Sequence, residues 1–301
     1  MTLKITRASD PITVERLNTV IYGPPGLGKS SLAFTADTPL LLDFDNGSHR
    51  AANRKDTVRV ENWSDVAGIT PEDLAPFKTV IVDTAGRALD ILTADIIRIN
   101  PKHGRGGALT LQGYGELKSR FTSFLKLLNS FGKDVVLIAH MDEQRNGDDI
   151  IERLDVQGGS KGEIYKAADA MGRLVIANGQ RRLLFSPTDA AFGKNPGQLP
   201  PLDVPNFTEP EFNTFFGSVI DRIKARLNEL TEDQRKAMAE QQWFRDTLPK
   251  VSDADGINGL VGRAKEGGTV CKSLLHKRAE EIGLSFDKSK GEYVERQKEA
   301  A

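Results

Sequence analysis

Eight residues constrain this chain more than any others: Gly23-Pro24-Pro25-Gly26-Leu27-Gly28-Lys29-Ser30. Their spacing, G-x-x-x-x-G-K-[ST], puts glycine where a backbone must turn tightly enough to aim successive N–H groups inward at an anion. The run before them, residues 19–22, is apolar and reads as a buried strand, while Ser31-Leu32-Ala33-Phe34 reads as the start of a helix. Strand, glycine-rich loop and helix in that order are a unit of α/β folds, and the helix N-terminus adds a dipole that favours negative charge. In such a unit Gly23 to Ser31 cradle the phosphates of a nucleoside triphosphate. Lys29 reaches the β- and γ-phosphates, and the Ser30 hydroxyl ligates Mg2+.

A loop of this kind, a P-loop, needs an acidic partner at the end of a nearby strand to hold the magnesium shell. Lys78-Thr79-Val80-Ile81-Val82-Asp83-Thr84 supplies one in Asp83, the Walker B carboxylate; the alternative is an aspartate that merely caps the next helix. Hydrolysis also needs a group that orients water. ATPases of the clamp-loader and protease type carry a Glu directly after the Walker B Asp. Here Thr84 follows, which sets the chain apart from that class despite a similar Pro-Pro-Gly loop. The remaining candidate is Asp45, two residues beyond Asp43 at the end of the second apolar run, with an Asx-turn at Asp45-Asn46-Gly47 as the plainer reading. Asp83-Thr84-Ala85-Gly86-Arg87 also matches a string of signal-recognition GTPases. The guanine-reading T-K-x-D or N-K-x-D segment of those proteins is missing after His140, which is followed by Met141-Asp142-Glu143, so ATP is the expected nucleotide.

Further apolar runs at residues 40–43, 79–83 and 135–140 predict strands covered on both faces, hence a mainly parallel sheet. Residues 117–131 predict a helix whose buried face holds Leu117, Phe121, Phe124, Leu125 and Leu128. Runs at 174–177 and 182–185 flank Asn178-Gly179-Gln180, a hairpin turn. The proline-rich stretch 196–210 reads as a linker, which places a P-loop ATPase domain at 1–205 and a small α-helical region at 206–301. In that region Phe212, Phe215, Phe216, Val219, Ile220, Ile223, Leu227 and Leu230 form a helical stripe. Thr231-Glu232-Asp233-Gln234 reads as a capping box opening a second helix, with shorter helices near 253–265 and 269–282. The charged tail from Lys288 reads as frayed.

Composition narrows the partners. With 41 basic and 42 acidic residues among 301, the net charge is −1, so contact with nucleic acid must come from local loops rather than an overall basic field. The lone cysteine, Cys271, excludes an internal disulfide and a cysteine zinc cluster. No apolar stretch approaches the roughly 18 residues of a membrane span, and the N-terminus is too polar for a secretory signal. The expected location is the cytoplasm.

The order of P-loop, Leu41-Leu42-Asp43-Phe44-Asp45, Val80-Ile81-Val82-Asp83 and Leu137-Ile138-Ala139-His140 resembles the RecA core. It resembles more closely the compact RecA-like ATPases of bacteriophages, some of which act in single-strand annealing and recombination. Gln112-Gly113-Tyr114-Gly115 is similar to that group, and Gly158-Gly159-Ser160-Lys161-Gly162-Glu163-Ile164-Tyr165 to the end of the second DNA-binding loop of RecA. The resemblance spans roughly residues 15–190. It implies that Asp45 stands where RecA-type ATPases carry their catalytic Glu, and that His140 reports the γ-phosphate to the next loop. It also implies that Arg181 or Arg182 completes the nucleotide site of a neighbouring subunit in a homo-oligomer. A hydrogen-bonded strand-end histidine and two edge-strand arginines are the plainer readings.

Two loops are candidates for single-stranded DNA. Residues 98–114 carry Arg98, Lys102, His103 and Arg105 among glycines, with Tyr114 available for stacking; residues 141–166 add Arg145, Arg153, Lys161, Tyr165 and Lys166 among several carboxylates. Each could equally be a solvated loop. The expectation is thus a Mg-dependent ATPase whose nucleotide state gates single-stranded DNA binding in phage recombination or replication, in the host cytoplasm. A replication or single-strand-binding protein is a further partner. The alternatives are a P-loop kinase acting on a small molecule and a weakly hydrolysing ATP-dependent scaffold.

Overall fold

The computed structural model describes residues 13–146, 149–156 and 161–295. Its centre is a mixed sheet in which the expected apolar runs sit side by side. The strands β1 (Asn18–Gly23), β2 (Pro39–Asp43), β3 (Thr57–Arg59), β4 (Thr79–Asp83), β7 (Asp134–Asn146) and β9 (Ala170–Ala177) run parallel in the order β9-β1-β7-β4-β2-β3. Antiparallel β10 (Gln180–Leu184) and β11 (Leu202–Asp203) extend the β9 edge. Two short strands, β5 (Gly104–Arg105) and β6 (Ala108–Leu109), form a separate small ribbon, and β8 (Asp149–Leu154) pairs with the far end of β7.

Continuous apolar strands demand cover on both faces, and both are covered. Side chains alternate across the sheet, so Val80 and Val82 join one core while Ile81 joins the other. The first core is closed by α2 (Ser64–Ala67), α3 (Ala85–Ile99), α4 (Leu111–Ser130) and α5 (Lys161–Ala167). In α4 the buried residues include Leu117, Phe121, Phe124, Leu125 and Leu128, the face that the 3.6-residue period predicts. The second core receives Leu32 from α1 (Lys29–Ala33) and Phe216, Val219, Ile220 and Ile223 from the start of α6 (Phe215–Thr247). The hairpin between β9 and β10 turns through Asn178 and Gly179 at φ 54 and 76, the left-handed pair that a two-residue turn requires.

The structure draws the domain boundary later than the proline-rich stretch. Leu199, Leu202 and Val204 are buried there, and β11 pairs with β10, so these residues finish the sheet rather than link domains. The first compact unit is Val14–Leu227. Its own contacts claim the opening of α6, since Phe216 N donates to Thr35 Oγ1 at 2.9 Å and Lys224 pairs with Asp134 at 2.6 Å.

Residues 228–295 form the second unit, with its own core of Phe244, Leu248, Ile257, Cys271, Leu275 and Tyr293 among others. Here too the reading is corrected. The expected capping box at 231–234 starts nothing: α6 passes through it, and the Thr231 hydroxyl bonds back to the Asn228 carbonyl within the helix. The helix expected at 253–265 is two, α7 (Ala254–Gly259), capped by Asp253, and α8 (Val261–Glu266); α9 is Gly268–Glu281. As far as Glu295 the charged tail forms a hairpin, β12 (Leu284–Asp287) with β13 (Glu292–Glu295), because Tyr293 anchors it in the core; the rest of the tail lies outside the described residues.

Candidate nucleotide site

The P-loop leaves β1 and bends over the C-terminal edge of the sheet. Gly23 leaves no room for a Cβ against the Leu174 carbonyl, and Gly26 and Gly28 both take φ 81, a conformation that side chains resist. These conformations open a cavity of 460 Å³ lined by Pro25, Gly26, Gly28, Lys29, Ser30, Ser31, Asp45, Asp83 and His140 among others. Residues from four separate stretches of sequence therefore meet at one edge, as crevices outside the carboxyl ends of parallel strands do.

Lys29 is buried, its ammonium donating to the carbonyls of Gly23 at 2.9 Å and Pro24 at 2.8 Å. Burial pulls its pKa down to about 8, against the opposing pull of Asp83. Asp83 ends β4 and accepts the Ser30 hydroxyl at 2.5 Å. Burial pushes its pKa up to about 6; the Ser30 bond works the other way, while the Asp43 and Asp45 charges add to the rise. Asp83 is therefore no helix cap. That task belongs to Thr84, whose hydroxyl accepts from the Arg87 N–H that opens α3. Two hard oxygen donors, Ser30 Oγ and Asp83 Oδ2, stand adjacent at the cavity wall. They suit a hard cation such as Mg2+, which is held by one or two protein oxygens together with substrate phosphates.

His140 lies in β7 where the strand passes the cavity. Its Nδ1 is buried and has no hydrogen-bond partner among the described residues, and its backbone carbonyl accepts from Asp155 N at 2.9 Å. Burial first, then the Lys29 charge, lowers its pKa, so the ring is neutral and can donate or accept toward a bound group.

Asp45 lines the same cavity, but it is engaged. Arg50 lies 3.3 Å and Arg87 3.5 Å from its carboxylate. The turn after it is held by Asp43 instead, which accepts the N–H groups of Gly47 at 3.1 Å and Ser48 at 3.0 Å. Asp43, Arg50 and Arg87 are thus parts of the site that sequence reasoning passed over. A signal existed for Arg87, since it closes the Asp83–Arg87 string that was set aside when guanine was excluded.

A family model described as an AAA domain matches residues 15–196. The chain belongs to that family. Among curated proteins none matches the chain. The AAA domain carries the nucleotide cavity in full, and membership supports a nucleotide-binding ATPase of the P-loop type. Among the described residues no helix is long and apolar enough to cross a membrane.

The other expected site residues scatter. Arg98 is bound within α3 to Asp95 at 2.6 Å, and Asp95 also takes Arg120 of α4 at 2.6 Å, so Arg98 shares a carboxylate that joins the two helices. Lys102 and Arg105 are exposed beside the β5–β6 ribbon, and Tyr114, in the first turn of α4, is 39% exposed. The described residues of the segment 141–166 are mostly strand and helix rather than open loop. Beyond His140 it continues as β7, returns as β8 and enters α5. Arg153 packs over the Phe192 ring, and Tyr165 stacks on the same ring at 4.4 Å. Residues 158–160 and the side chains of Arg145 and Lys161 lie outside the described residues.

Arg181 lies against its own chain's P-loop, Nη1 being 3.1 Å from where a Cβ on Gly28 would stand. It donates to the Pro205 carbonyl at 2.9 Å and faces the Phe212 ring. Arg182 pairs with Asp203 across the β10–β11 ladder at 2.6 Å.

Proposed function

We propose that this AAA domain is a Mg-dependent, RecA-like ATPase whose nucleotide state gates the binding of single-stranded DNA in phage recombination or replication, in the host cytoplasm. One observation carries the reading. His140, which lines the cavity and whose buried Nδ1 has no partner among the described residues, sits on the strand that runs on into the β7–β8 hairpin. A contact between the γ-phosphate and that ring is therefore transmitted along a rigid ladder to an element at the sheet's C-terminal edge. Lys29 and Ser30 bind phosphate and cation, Asp83 holds the cation's water shell, and Asp45, once released by Arg50, orients the attacking water. Lys102, Arg105, Tyr114 and Lys161 are the proposed DNA contacts. In a homo-oligomer the trans-acting role falls to Arg181 or Arg182, once released from the Pro205 carbonyl or from Asp203.

The test is ATP hydrolysis with and without single-stranded DNA, with Lys29→Ala as the blank. Stimulation by DNA that is lost in the variant supports the reading; turnover indifferent to DNA removes the gating step and leaves the ATPase. The pairing of Asp45 with two arginines favours a second reading, an ATP-dependent scaffold that hydrolyses slowly and recruits a replication or single-strand-binding protein. Tight ATP binding with negligible turnover in the presence of DNA would select it.

A further inference from the structure

The unit formed by residues 228–295 has a groove of its own, 760 Å³ in volume, between α8, α9 and the β12–β13 hairpin. Its floor is apolar, with Ala264 and Leu275 turned inward. Lys265 and Lys272 stand on its helical wall and Lys288 on the hairpin wall, all three exposed and none in an ion pair among the described residues. The described wall carries no carboxylate. On the hairpin, Asp287 is turned to its own turn, where it accepts from Ser289 and Lys290. Phe286 lines the groove at 39% exposure and is held edge-on by Tyr293, so a large flat ring is presented to solvent at a fixed angle.

Unpaired cations on both rims of an apolar trough, with one rigid exposed aromatic, match the demands of a flexible polyanion with stackable faces. We infer that this groove binds single-stranded nucleic acid, with its phosphates on Lys265, Lys272 and Lys288 and a base on Phe286. Hydroxyls of Thr269 and Ser273, on the same face of α9 as Lys272, are available to base edges or phosphates. The inference rests on the proposed reading for the identity of the ligand, but it places a contact outside the ATPase unit, where lysine amines act as sequence-independent point charges. The chain's net charge of −1 does not oppose this, because the trough itself is locally basic.

The experiment is fluorescence anisotropy of a labelled oligo-dT with the full chain over a salt series, with and without a non-hydrolysable ATP analogue. The Lys265→Ala/Lys272→Ala/Lys288→Ala variant is expected to bind at least about tenfold more weakly. The slope of log affinity against log salt is expected to be shallower by about 2, at about 0.7 per phosphate contact. Phe286→Ala is expected to weaken binding about tenfold without changing that slope. All four residues are exposed, so folding is checked by circular dichroism and DNA-independent ATP turnover should be unchanged. Wild-type affinity and slope in the triple variant overturn the inference; if Lys102→Ala/Arg105→Ala then abolishes binding, the gating reading stands alone. Binding that depends on the three lysines but not on the ATP analogue supports the inference and removes the gating. No binding of oligo-dT by the parent chain overturns both, and lysine-dependent capture of a labelled Asp-rich peptide in place of oligo-dT overturns the inference in favour of a protein ligand.

Discussion

Asp83 and Lys29 are buried with opposite charges beside one another, and each is displaced toward its neutral form. For Asp83 the sign can be worked out. A carboxyl whose folded pKa is raised, here to about 6 from an ordinary 3.8, holds a proton between those values that the unfolded chain has released. Its contribution to stability is full below the lower value and is lost as pH rises through the upper. Asp83→Asn should therefore become progressively more stable than the parent between pH 4 and pH 7 in the nucleotide-free protein, by up to about 3 kcal/mol. Urea unfolding at several pH values checks this, and a difference that does not move with pH would refute it. Asp45 gives a second prediction: Asp45→Ala should lower ATP turnover by about 10²-fold or more with ATP affinity nearly unchanged, as for removal of a group that orients water. An equal loss of both would make Asp45 a wall residue that positions Arg50 and Arg87. The P-loop was legible from the chain because every member of it is adjacent in sequence. Arg50 and Arg87 were not, because an arginine's partner is decided by where other strands end.

Elements whose signal lies in a single apolar period matched the sequence. The buried face of α4 is an example, and Phe121→Ala there should cost about 3–5 kcal/mol, read from the urea midpoint at constant slope. Elements stabilised by long-range pairing did not. β3 is three half-polar residues, Thr57-Val58-Arg59, that form a strand because β2 lies beside them. β8, Asp-Ile-Ile-Glu-Arg-Leu, is half charged, lacks a clean period of two and read as loop; pairing with the overhanging end of β7 makes it a strand. This element carries the proposed coupling. His140→Ala should keep ATP binding, measured by titration, while losing DNA stimulation of hydrolysis; unchanged stimulation would show that the signal leaves the site elsewhere.

At the scale of the molecule, the two cores of the first unit and the single core of the second are separate clusters of buried residues. A chain ending at Leu227 should therefore fold and keep its nucleotide-dependent rise in melting temperature, because every residue lining the cavity lies before that point. Loss of folding on truncation would mean that residues 228–295 are needed to complete the ATPase unit. The boundary itself was misplaced for a physical reason. Proline density marks places where a helix cannot continue, and at 196–210 it marks an edge strand and its approaches, whose Leu199, Leu202 and Val204 are buried.

The amino-acid sequence by itself determined the phosphate loop, the strands that frame it, the aspartate that ends β4 and the α/β class, since each depends on residues close together along the chain and on one hydrophobic period. Tertiary structure alone decided which charges meet. It engaged Asp45 with Arg50 and Arg87, turned Arg181 toward its own P-loop, buried His140 Nδ1 without a partner among the described residues and set three lysines around an apolar trough. Those outcomes follow from strand order and helix packing, which bring distant residues within hydrogen-bond range, and no local pattern of side chains encodes that distance.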